Sequence, residues 1–263
     1  VITLTAPAHG DEFGAPTPEE LFNLAPVAGV EWFTKPVLLA VISAILVIGL
    51  TWAAFSSPKL VPRGVQNVVE YGYMFVRDQV ARPFLGKDAD RFMGLLVTLF
   101  FLVLVWNLLG VVPIAQFPVA SHIAFPAVLA ISIYVLKIYL GVKHQGAGGY
   151  FKNMMFPPGL PKPIYVLLSP IEFLSNMIIA PFTHAVRLFA NMFAGHMLLA
   201  FFSMVGFHFL FVQLTPLGAP VGVVGVIMTI IFTGFEMFIQ FLQAFLFAML
   251  ASMYIGGSLH AEH

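Results

Sequence analysis

Residues 36–55 and 92–112 each run about twenty residues without a charge, the length a helix needs to cross ~30 Å of hydrocarbon. Lipid offers backbone N–H and C=O groups no hydrogen-bond partner, so a spanning segment must be a helix or part of a closed barrel. These runs lack the strict alternation of barrel strands. The expected class is therefore an all-α integral membrane protein. Composition points the same way: the 263 residues are 60% hydrophobic and 9% charged, with a mean hydropathy of +0.95. Soluble domains carry about 25% charged residues.

The formal net charge of zero conceals an uneven arrangement. Of the 12 lysines and arginines, Lys59, Arg63, Arg77, Arg82, Lys87 and Arg91 lie between the first and second apolar runs, and Lys137, Lys143, Lys152 and Lys162 flank the loop between the third and fourth. Lys35 alone precedes the first run, and the loops near Gln116 and Pro216 hold none. The positive-inside rule then places residues 56–91 and 141–163 in the cytoplasm and the N-terminus outside. Five crossings leave the C-terminus inside. Residues 1–35 are rich in acid and proline and lack the basic flank and apolar core of a signal peptide, so they read as a short mature external segment. The absence of cysteine excludes disulfides and thiolate metal sites.

Within one membrane domain the pattern predicts span 1 over 36–56, span 2 over 91–112 and span 3 over 123–141. Between the first two, residues 62–82 mix apolar side chains with Gln66, Glu70, Arg77 and Asp78 at helical spacing after Pro62. This is the pattern of an amphipathic helix in the cytoplasmic interface, with a solvated loop helix as the other reading. Span 2 closes at Gly110 and Pro113, and Lys137 in span 3 is placed to snorkel to the inner interface. Gly146, Gly148 and Gly149, then Pro157, Pro158, Pro161 and Pro163, mark a turn region. Helix 4 over 164–212 and helix 5 over 218–258 far exceed the ~20 residues a perpendicular crossing needs. They are expected as a hairpin of long, tilted helices, with Pro170 and Pro181 able to kink the first.

The ionisable groups at membrane depth are few: Glu172, His184, Arg187, His196, His208 and Glu236, with His122 near the outer end of span 3. A central arginine costs ~2.5–3.5 kcal/mol on insertion scales, so it defaults to a functional group with a partner. Arg187 falls near the midpoint of its run, and Gln243 comes to a similar level on the returning helix. Glu236, two turns outward of Gln243 on the same face, shares its depth with His196. Glu172 lies toward the cytoplasmic mouth. Titratable groups thus flank a fixed cation on both sides, which describes two offset paths better than one pore. Glu and His exchange protons near neutral pH, whereas arginine stays charged and cannot relay. Thr183, Arg187 and Asn191 share one helix face, with Ala190, Ala194 and Gly195 nearby to allow close approach. Gln240 and Gln243 could equally serve as interhelical hydrogen bonds, and His184 could line the inner path or simply pack. His208 and His122 read as interfacial rather than relay groups.

The segment PFTHAVRLFANMFAGH, residues 181–196, resembles the signature of subunit a of bacterial F-type ATP synthases. VQNVVE at 65–70, NLLGVVP at 107–113 and LQAFLFAML at 242–250 agree in order. The resemblance covers residues 36–263 and implies the stator of a rotary proton motor. Its two tilted helices would lie along a c-subunit ring whose carboxylates are loaded from an outer half-channel and unloaded into an inner one. By matching position, Arg187 would attract the ionised ring carboxylate and separate the half-channels. Asn191 and Gln243 would line that contact, His196 and Glu236 would belong to the outer path, and Glu172 to the inner. Many bacterial members carry an acid where His196 stands and a histidine where Glu236 stands, so this chain looks like the exchanged arrangement. His122 stands where many members have an acid. The implied partners are the c ring, b-type peripheral stalk subunits, the rest of the F1Fo complex and the bilayer, with no nucleic acid, no cofactor and no metal. The chain itself would perform no covalent chemistry, and its place would be the bacterial plasma membrane.

Two other classes are weighed. A secondary ion-coupled transporter should show paired internal repeats, which are absent. A haem protein is suggested by His184, His196 and His208 on one helix, but bis-histidine ligation needs a partner on another span, and the last helix has none before His260.

Overall fold

The computed structural model describes residues 13–22, 33–56, 61–112, 115–156, 164–213 and 215–259. These form helices in the order α1 (Pro18–Phe22), α2 (Lys35–Phe55), α3 (Val65–Val76), α4 (Arg82–Leu85), α5 (Ala89–Leu108), α6 (Ala124–Gln145), α7 (Ala147–Met155), α8 (Tyr165–Leu174), α9 (Ala180–Phe207) and α10 (Gly218–Leu259). Among the described residues, 5 helical runs are long and apolar enough to cross a membrane. They are Lys35–Phe55, Val65–Leu108, Ala124–Gln145, Leu167–Val212 and Gly218–Leu259. The expected loop of prolines at 157–163 and most of the external segment lie outside the described residues.

The last two runs, 46 and 42 residues long, measure ~60–70 Å at 1.5 Å per residue, about twice the hydrocarbon thickness. Each must incline steeply or extend well beyond the hydrocarbon. The Leu167–Val212 run is not uniform: π-helical turns at Ser175–Ile179 and His208–Val212 bracket α9. The first lies between Pro170 and Pro181, and the Ala180 N–H reaches back five residues to the Ser175 carbonyl. Pro181 has no N–H to give the ladder, so the wider turn falls where α-helical bonding is already interrupted. A third π-turn, Arg77–Ala81, joins α3 to α4.

The chain divides into two compact units. The first comprises Val1–Ile45, Leu104–His122 and Phe189–Leu242. Here α9 and α10 run antiparallel at close range. A Cβ added at Gly225 would stand 2.6 Å from the Gly206 nitrogen, so the two backbones touch through their glycines. Phe202 stacks on Phe232 with ring centroids 5.1 Å apart. At the turn, the Thr215 hydroxyl oxygen accepts from the Gly218 N–H at 2.9 Å and caps α10.

The second unit comprises Leu46–Val103, Ile123–Leu188 and Gln243–His263. Gln66, Val69 and Val76 form the buried stripe of α3. Its outward face carries Val68, Tyr71 and Met74, an apolar surface suited to lipid rather than to water. At Gly86 a φ of 53° turns the path from α4 toward α5, and Arg77 pairs with Asp90 through two hydrogen bonds of 3.0 and 3.1 Å. The glycine-rich stretch expected as a turn forms α7 instead. Gly146, at φ 71°, ends α6, and Tyr150 of α7 is buried against Gly141, where a Cβ would strike its ring. That tertiary contact outweighs the poor helix propensity of Gly148 and Gly149. Lys137, expected at the interface, has its Nζ over the rings of Tyr134 and Tyr254, 5.1 Å from each centroid.

Candidate functional site

In the second unit the central residue is Arg187. It is exposed on α9, and among the described residues it forms no ion pair. Thr183 and Ala190 are exposed beside it, and the Thr183 hydroxyl is spent on the carbonyls of Ile179 and Ala180 at 2.9 and 3.1 Å. Arg187 thus stands on a face of small or self-satisfied side chains, a guanidinium whose five donors have room for an anion. Gln243 is 5% exposed, so it and Arg187 differ in direction: one is turned inward and the other outward.

One turn from Arg187, the His184 ring is 2% exposed and lies 4.1 Å from the ring centroid of Phe247 and 5.9 Å from that of Tyr254. Neither of its nitrogens has a hydrogen-bond partner among the described residues. Glu172, half-buried on α8, accepts a 3.0 Å hydrogen bond from the Asn176 amide, which also reaches the Glu172 carbonyl.

The first unit holds His196, Glu236 and Asn191. Glu236 is 4% exposed and lies over Gly195, whose missing Cβ leaves its carboxylate room: an added Cβ would stand 3.4 Å from Oε1. The Gln240 amide donates to Glu236 Oε1 at 3.3 Å, and the Asn107 amide donates to the Gln240 backbone carbonyl at 3.3 Å. Gln240 and Asn107 are fully buried. Gln240, read from the sequence as a possible interhelical hydrogen-bonding residue, is joined to α5 through its backbone carbonyl by Asn107, a polar residue near the end of an apolar helix that sequence reasoning passed over.

This chain of side chains ends in open valences. Glu236 Oε2, Gln240 Oε1, Asn107 Oδ1 and His196 Nδ1 are buried without a partner among the described residues. Buried polar atoms are rarely left so, and three of these four are acceptor oxygens that water would satisfy. His196 does not hydrogen-bond Glu236. Its ring turns to Phe22 and Phe117, with centroids at 5.7 and 6.4 Å. Asn191 is half-buried on α9.

The N-terminal segment also reaches this site, which sequence reasoning did not foresee. Phe22, at the end of α1, stacks on Phe193 at 4.6 Å, and its carbonyl oxygen lies 3.2 Å from His122 Nε2. His208, read as interfacial, is half-buried beside Phe13, with centroids 5.5 Å apart. Among the described residues, no three His, Cys, Asp or Glu side chains converge on a point that could hold a metal ion.

Residues 37–256 match the family described as ATP synthase A chain. Over 233 residues the chain is 47% identical to the ATP synthase subunit a of Streptomyces lividans, an alignment covering 88% of this chain and 81% of the relative. It is 44% identical to that of Frankia alni, covering 88% of this chain and 80% of the relative, and 39% identical to that of Rhodococcus erythropolis, covering 100% and 94%.

Proposed function

Because this chain belongs to the family of ATP synthase subunit a, a multi-pass membrane subunit of the bacterial Fo sector, we propose that it is the stator of a proton-driven rotary motor in which Arg187 separates two offset aqueous half-channels. The observation that carries this reading is the exposed Arg187, without an ionic partner among the described residues, near the middle of a helical run of 46 residues. A permanent cation at that depth requires an anion to face it. The partner that fits is the membrane carboxylate of a c subunit, delivered to Arg187 in ionised form as the ring turns.

Protons enter by the outer path, where Glu236 and His196 can each accept and release them and Gln240 and Asn107 hold the acid in place. The unsatisfied oxygens of this group call for water, and a hydrated path lets the proton reach a ring carboxylate and neutralise it. A neutral carboxyl can move into lipid, whereas an ionised one is held at Arg187. Glu172 and His184 take the released proton to the inner side. Arginine cannot pass a proton on, so the two paths do not short-circuit. The chain makes no covalent chemistry of its own. It works with the c ring, b-type stalk subunits and the rest of the F1Fo complex, with its N-terminus outside the plasma membrane and its C-terminus in the cytoplasm.

The test is ATP-driven acidification of inverted membrane vesicles from cells carrying Arg187→Ala, with assembly of the complex checked. Loss of pumping from an intact complex is expected. Pumping at the unmutated rate would remove Arg187 from its role and the half-channel reading with it.

A further inference from the structure

Beside the acids and histidines of the outer path stands a residue with no titratable group. Phe22 is 8% exposed although it belongs to a helix of 5 residues in the external segment. A short external helix has little reason to bury an aromatic ring there unless the ring is part of the wall. Two contacts specify what it does. The ring stacks on Phe193 and meets the His196 ring edge-on, closing one side of that imidazole. The carbonyl oxygen, 3.2 Å from His122 Nε2, is an acceptor only. The His122 nitrogen facing it must therefore carry the proton, which fixes the neutral tautomer and leaves Nδ1 as the basic atom.

Phe117 completes the arrangement. Its ring lies 5.6 Å from that of His122, 6.4 Å from that of His196 and 6.0 Å from that of Phe22. The Lys35 ammonium stands 5.9 Å from its centroid. Two aromatic rings thus occupy the space that water would use to approach His196 from the side of the external segment. Among the described residues, the charged and titratable groups named around the cluster are Lys35, His122 and Glu236, with Glu19 and Glu20 on α1 itself.

Resting on the reading of His196 as an outer-path residue, we propose that Phe22 is a positioning residue of that path: its ring walls off His196 from water on the side of the external segment, and its carbonyl sets the tautomer of His122. The external segment is then a part of the inlet rather than a tail.

The native chain has no cysteine, which permits a direct test by access. In assembled complexes carrying His196→Cys, the rate of labelling by a small water-soluble thiol reagent is measured with Phe22 intact, with Phe22→Ala and with Phe22→Leu. Leu217→Cys, at an outer-turn position that is 87% exposed, gives the reference rate. Phe22→Ala is expected to raise the labelling at position 196 at least about fivefold and to leave that at position 217 unchanged. Phe22→Leu, which keeps apolar bulk if the alanine variant fails to assemble, is expected to give an intermediate rise. Equal labelling at position 196 in all three backgrounds would overturn the wall. Absence of labelling at position 196 in every background, with the thiol at position 217 reactive, would remove His196 from the outer path and the proposal with it. Neither result would touch the role of Arg187, which the pumping assay reads independently.

Discussion

Gly225→Ala sets two effects of opposite sign against each other at the α9–α10 contact. The added Cβ would lie 2.6 Å from the Gly206 nitrogen, 2.9 Å from the Gly206 Cα and 3.0 Å from Val205 Cγ1. Carbon prefers ~3.5–4.0 Å from its neighbours, so the helices must part by on the order of 1 Å, and a gap of that size forfeits a quarter to a half of the dispersion energy of the atoms lining it. The nearest atoms are backbone and cannot rotate away. Overpacking of this kind costs ~1–3 kcal/mol, while replacing glycine by alanine within a helix returns ~1 kcal/mol. The balance is a net loss of up to about 2 kcal/mol. Gly234, on the same helix, is the control: nothing lies within 4 Å of its added Cβ, so Gly234→Ala keeps the gain without the clash. The assay is the temperature at which the chain leaves the detergent-solubilised complex on a native gel. Gly225→Ala should lower it by a few degrees, and Gly234→Ala should hold or raise it. A Gly225→Ala complex as heat-resistant as the Gly234→Ala complex would refute the close-packed hairpin.

Glu236→Gln keeps a side chain that can still pair with Gln240 but cannot take a proton, so pumping by inverted vesicles should fall at least about tenfold with assembly unchanged. Pumping at the unmutated rate would exclude Glu236 as a proton carrier. Lys137→Met removes the ammonium from between Tyr134 and Tyr254 and should cost about 1–2 kcal/mol, seen as a lower melting temperature that Lys137→Arg restores. Equal melting of Met and Arg variants would mean that the stem of Lys137 matters and its charge does not.

The membrane helices were legible because hydrocarbon punishes every alternative: an unbroken apolar run of sufficient length has one way to satisfy its backbone. Arg187, Glu236 and Gln240 were legible for the same reason, since polar groups are rare in such runs. What escaped the sequence was decided by contacts between distant segments. Residues 147–155 form a helix because Tyr150 finds Gly141, a fact that glycine content cannot announce. Phe22 closes over His196 although nothing in an acid- and proline-rich segment marks one phenylalanine as part of a site. Counting along the chain assigns each residue a level but says nothing of the direction in which its side chain points. Gln243 and Arg187 were placed at one level, yet the first points inward and the second outward.

The π-turn at Ser175–Ile179 changes how such counting works. In an α-helix each residue advances the azimuth by about 100°, so the separation of Glu172 and Arg187 seems to fix the angle between them. A π-turn takes up one residue more than the α-helical ladder allows for, and a count that ignores it misjudges that angle by about one residue's rotation. Deleting a single residue within the π-turn would let the helix close into regular geometry with Arg187 near its present azimuth. The same deletion inside α9, ahead of Arg187, would swing the guanidinium by about 100°. The π-turn therefore works as slack in the angular ruler: it is the place along this helix where the chain can lose a residue and still aim its arginine in the same direction.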